Sequence, residues 1–90
     1  MAKIEKKILP EYFDLVASGK KKYELRTGDF VANEGDELLL REWSPETKTY
    51  TGREIKKRIN FVARFFLEDL YCLWSKEEIE RHGIQILQLD

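Results

Sequence analysis

Ninety residues with 42% apolar and 12% aromatic side chains supply one small core, and so one domain over residues 1–90. Sixteen lysines and arginines stand against seventeen aspartates and glutamates, for a formal charge of −1. That balance excludes a disordered polar chain and gives no overall basic excess of the kind a non-specific nucleic-acid binder carries.

The single cysteine, Cys72, leaves no internal disulfide, and one cysteine with one histidine, His82, makes no zinc set. Cys72 lies in Leu70-Tyr71-Cys72-Leu73-Trp74, an apolar setting that suits a buried, inert thiol. No apolar run is long enough to span a bilayer, and no signal-peptide pattern opens the chain. These features predict a monomer in a reducing, cytoplasmic setting, with no membrane, metal or cofactor.

In chain order, Lys3–Leu9 has a short strand pattern with Ile4, Ile8 and Leu9 as its apolar members. Pro10 suits the first turn of a helix, and Glu11 there complements the helix dipole. Phe13, Val16 and Ala17 repeat at i, i+3 and i+4, and Gly19 is a natural left-handed stop, so the spacing predicts a helix over 10–18. A strand is expected after Lys21, with Lys22, Glu24 and Arg26 on one face and Tyr23 and Leu25 towards the core.

Residues 27–35 read as a loop, followed by a strand over 37–43 whose Leu38-Leu39-Leu40 run suits a central strand covered on both faces. Residues 44–52 form a polar connection to a long strand over 53–66, with a bulge or bend expected near Lys57. Residues 68–74 are read as a plug over one end of the fold. Ser75-Lys76-Glu77-Glu78 has the spacing of a capping box, so a short helix is predicted to run to Arg81 or His82, with a last strand over 84–89. The sum is an α+β domain: a small, partly closed antiparallel β-barrel with one helix after the first strand and a short one before the last.

Gly19-x-Lys21-x-x-Glu24-x-Arg26, directly after the first helix, is the strongest motif in the chain. It resembles the signature of the ASCH domains of the PUA-like superfamily. The flanking blocks Ile8–Asp14, Leu40-Arg41-Glu42-Trp43 and Tyr50-Thr51-Gly52-Arg53 are similar to a phage- and prophage-associated branch of that family without assigned function. Ile4 stands where that branch often carries a histidine. The resemblance covers about the first two thirds of the chain and implies a PUA-like barrel that binds RNA or a nucleoside-like ligand in a cleft between helix and barrel.

On that resemblance, Lys21 meets a phosphate as a point charge, and Arg26 uses its planar fork on a phosphate or base edge. Glu24 holds Arg26 or accepts from an exocyclic amine. Arg53 or Arg41 adds charge, and Tyr23, Tyr50 or Trp43 offers a stacking surface, although Trp43 is more at home in a core. Two other classes compete. Some ASCH relatives hydrolyse acetylated cytidine with the motif lysine and a threonine, which would make Lys21 catalytic; this chain has Glu24 at the threonine position, and Thr27 is out of register. A protein-binding adaptor would instead use Leu70, Tyr71, Leu73 and Trp74 as an exposed patch.

Overall fold

The computed structural model describes residues 1–89. The elements run β1 (Lys3–Ile8), α1 (Pro10–Ala17), β2 (Glu37–Ser44), β3 (Thr49–Arg58), α2 (Leu67–Leu70) and α3 (Lys76–His82). The fold is α+β, with one three-stranded sheet in the order β1-β2-β3.

The sheet is mixed and does not close into a barrel. β1 runs parallel to β2, in the register Ile4↔Leu38 to Ile8↔Glu42. β3 returns antiparallel, with Leu40 opposite Ile55. The expectation of an all-antiparallel sheet fails because α1 and the segment after it carry the chain back to its starting end before β2 begins, the crossover that a parallel pair requires.

Helix α1 forms where its pattern places it. Leu9 is the N-cap, Pro10 fills the first turn, and Gly19 adopts φ +83 just past the C-cap Ser18. Phe13 and Val16 are buried with Ile8 and Leu40, and Leu38 and Ile55 pack around them. The core therefore lies between α1 and the sheet face formed by the even-numbered residues of β1 and β2. β2 is the middle strand, as its leucines suggest. Leu40 is fully buried, while Leu39 is half-buried on the face turned away from α1.

β3 begins at Thr49, earlier than the sequence suggests, because a tight turn with Lys48 at φ +56 replaces the long connection. It ends at Arg58 rather than near Phe66. Ile59 donates its amide to the Asp36 carbonyl and accepts from the Gly35 amide, both in the turn before β2, so the ladder has run out of partner strand. The bulge lies at Gly52, not Lys57: between Arg41↔Glu54 and Trp43↔Tyr50 three residues of β3 face Glu42 alone. Gly52 has φ +97, a conformation a side chain resists.

Two expected strands form no ladder. Residues 22–26 pair with no strand, and both Tyr23 and Leu25 are exposed rather than in the core. Residues 84–89 carry apolar side chains on both parities, which gives no single face to bury, and they too stay unpaired. Gln88 nevertheless ties the two segments together: its Oε1 accepts from the Lys22 amide at 2.5 Å, and its Nε2 donates to the Lys20 carbonyl at 3.4 Å. α3 has its expected start, with Ser75 Oγ accepting the Glu78 amide at 3.1 Å. Cys72 is exposed, because the turn after α2 lies at the surface instead of plugging an end. No helix among the described residues is long and apolar enough to cross a membrane.

Replacing the fully buried Leu40 with alanine removes the contact between α1 and the central strand. Urea denaturation of Leu40→Ala is expected to show a loss of about 2–5 kcal/mol. A loss well below 1 kcal/mol would place the core elsewhere.

Candidate functional site

Phe13 points from α1 into the core. Its neighbours Tyr12 and Asp14 lie about 100° to either side of it, and each flank of the helix meets a different polar cluster.

On the Tyr12 flank, the motif residues come together without a strand to align them. Glu24 Oε1 accepts from Lys21 Nζ at 3.5 Å, and Glu24 Oε2 accepts from Arg26 Nε at 2.9 Å. Arg26 Nη2 donates to the Lys7 carbonyl at 2.6 Å, on the outer edge of β1. Lys21 Nζ sits 5.0 Å from the centroid of the Tyr12 ring and 5.1 Å from that of Tyr23. Lys21 and Glu24 keep less than a fifth of their side-chain surface exposed, and Arg26 about a third. One carboxylate thus holds two cations in a partly desolvated setting, where charges act more strongly than in open water. Lys21, Tyr23, Glu24 and Arg26 are brought together as the motif suggests; Lys22 is not part of the group.

Arg53 belongs to the other flank. Its Nε and Nη2 donate to the two oxygens of Glu42 at 2.9 and 2.6 Å, and Nη2 also reaches Asp14 Oδ1 at 3.0 Å. Thr51 Oγ1 donates to Glu42 Oε1 at 2.6 Å. The Arg53 guanidinium lies 4.4 Å from the centroid of the Phe13 ring. Glu42 is 4% exposed, a carboxylate on the buried parity of β2. Arg53 and Thr51 hold its pKa down at about 2, well below its usual range, against the opposing effect of burial. The same bonds push Arg53 above its ordinary value.

Glu42 and Asp14 did not stand out as site residues from the motif. Parity carries the signal: Leu38, Leu40 and Glu42 alternate on the core face, and a carboxylate there needs a cation opposite it. Asp36 is, beside Glu42, a second buried carboxylate, and its partners are backbone amides. It accepts from the Ala2 and Asn33 amides at 2.9 Å each, which lowers its pKa and fastens the N-terminus to the start of β2.

Two shallow concavities lie elsewhere. One of about 170 Å³ is lined by Met1, Gly35–Glu37 and Lys56–Arg58, and one of about 320 Å³ by Leu9–Glu11 and Ser44–Glu46. Neither is lined by the motif residues. Among the described residues no group of three or more histidines, cysteines, aspartates or glutamates is placed to hold a metal ion.

A family model, a domain of unknown function (DUF3850), matches residues 4–75, which takes in both clusters. The chain belongs to the DUF3850 family. This DUF3850 chain is also 43% identical over 76 residues to the uncharacterized 12.9 kDa protein in the GpA 3′ region of Escherichia phage P2, a match covering 81% of this chain and 68% of that protein. No solved structure matches the DUF3850 chain.

The depressed pKa of Glu42 makes a signed prediction. Its unfolded form titrates near 4.5 and its folded form near 2. The stabilisation is therefore complete above about pH 4.5, declines as pH falls towards 2 and is gone below it. Glu42→Gln is expected to lower the urea midpoint at pH 7 and to flatten the loss of stability between pH 4.5 and 2. A variant with the same acid limb as the parent would assign that limb to other carboxylates.

Proposed function

We propose that this DUF3850 domain is a binding module for RNA or a nucleotide-like ligand, and that Gly19-x-Lys21-x-x-Glu24-x-Arg26 is its ligand face. The observation that carries this reading is the single Glu24 carboxylate shared by Lys21 and Arg26. It fixes both cations and leaves the trio with one net positive charge. Donors remain on the Lys21 ammonium and on Arg26 Nη1 for a phosphate or a base edge. Tyr12 and Tyr23, stacked about Lys21, add aromatic surface on the same side.

In this reading the domain is of the ASCH, PUA-like kind, and residues 59–66 and 84–89 are the extended stretches with which such a barrel closes. An amidohydrolase acting on acetylated cytidine is less well supported. Thr27, the threonine directly after the motif, donates to Asp29 at 3.2 Å, and Lys21 is paired with Glu24. One observation favours the adaptor as the second reading: Tyr71, Leu73 and Trp74 are exposed rather than covering the fold.

The test is a titration with short single-stranded RNAs, cytidine and acetylcytidine, following backbone amides by NMR. Lys21→Ala and Arg26→Ala are each expected to weaken RNA binding about tenfold and to lower the salt slope by about one. Turnover of acetylcytidine would instead make Lys21 catalytic. Unmoved amides with every ligand would remove the binding reading and bring the adaptor forward.

A further inference from the structure

Strand parity gives the sheet a second face, turned away from α1. In register across it lie Lys3, Glu5 and Lys7 of β1, Leu39, Arg41 and Trp43 of β2, and Tyr50, Glu54 and Lys56 of β3. Trp43 stands directly opposite Tyr50, so their side chains are neighbours on this face. Trp43 is therefore not a core residue; it is half-buried, and Tyr50 is 41% exposed.

Two cations are already seated on this pair. Lys7 Nζ lies 4.7 Å from the centroid of the Trp43 ring and 5.9 Å from that of Tyr50. The Arg41 guanidinium lies 3.8 Å from the centroid of the Tyr50 ring. Glu5 at 3.0 Å and Glu54 at 3.7 Å hold Arg41 there. Lys7 pairs with no carboxylate among the described residues. With Glu37 and Arg58 included, the face carries five cations against three carboxylates, an excess of two on a chain whose formal charge is −1. A solvated sheet face has no need of two adjacent aromatic rings, and a protein-binding patch depletes lysine. Aromatic rings interleaved with cations match the stacked bases and charged backbone of a single nucleic-acid strand.

We infer that this face is a base-stacking platform for single-stranded RNA, with Trp43 and Tyr50 receiving bases and Lys7 and Arg41 receiving phosphates. The inference rests on the reading of the domain as an RNA binder and adds a second surface to it. The two surfaces meet at Lys7, whose carbonyl accepts from Arg26 while its ammonium lies over Trp43. A strand crossing the edge of β1 passes from one to the other.

The experiment is fluorescence anisotropy with a short fluorescein-labelled single-stranded RNA of mixed sequence and with its duplex. Trp43→Ala, Tyr50→Ala and Trp43→Phe are compared with Lys21→Ala. In a Trp74→Phe background, where Trp43 is the only tryptophan, quenching of its emission by unlabelled RNA reads stacking directly, even if Trp43→Ala fails to fold. The two alanine variants are expected to weaken single-strand binding about fivefold or more. Trp43→Phe should retain binding, Trp43 emission should be quenched, and the duplex should bind more weakly. Unchanged binding in folded alanine variants, or unquenched Trp43, overturns the platform. If Lys21→Ala alone weakens binding, the motif reading survives that failure. If only the sheet-face variants weaken it, the platform stands and the motif reading falls. No binding of RNA by the parent protein overturns both.

Discussion

The carboxylate of Glu42 is the constraint on which the rest of the structure depends. It sits on the core face of the central strand, where an unpaired charge is not tolerated. Its partners come from β3, and both reach it only because the chain bulges at Gly52, so that Thr51 and Arg53 face one residue. Arg53 then spans to Asp14 on α1 and covers the Phe13 ring. One buried charge thereby sets the register of the hairpin, the position of the bulge and the seat of the helix. An apolar residue at position 42 would pack more simply, but it would specify none of these three.

Elements with strong local signals were legible in the sequence. Pro10, the Phe13–Val16 spacing and Gly19 define α1, and Ser75 with Glu78 defines the start of α3, because those signals act within a few residues. The Leu38–Leu40 run placed β2 at the centre of the sheet. Strand partnership was not legible. The parallel pairing of β1 with β2 depends on where the chain returns after α1, and the end of β3 depends on β2 having no residues left to offer. Residues 84–89 look like a strand by propensity, yet their apolar side chains occupy both parities and fix no register.

The motif site was legible as a set of residues but not as a shape. Lys21, Glu24 and Arg26 do gather, held by hydrogen bonds between side chains and to the edge of β1 rather than by the alternation of a strand. Arg53 was found for its charge and proves to serve Glu42 on the opposite flank of α1. The aromatic pair was hidden because Trp43 next to a leucine run reads as core; only the parity of the completed sheet turns it outward.

The parallel pairing of β1 has a consequence for how the molecule assembles and comes apart. β2 and β3 are joined by the short turn at Pro45–Lys48, whereas β1 reaches β2 only across α1 and the whole 18–36 segment. Closing the longer loop costs more entropy, so loop closure alone favours the hairpin before β1, which Asp36 clasps at Ala2. If β1 leaves the sheet, local contacts go with it. The Arg26 anchor on the Lys7 carbonyl leaves with it, while Glu42 and Arg53, within the hairpin, stay paired. Any molecule that touches Arg26 and the hairpin at once acts as a clasp, slowing the departure of β1 and stiffening the N-terminal edge of the sheet.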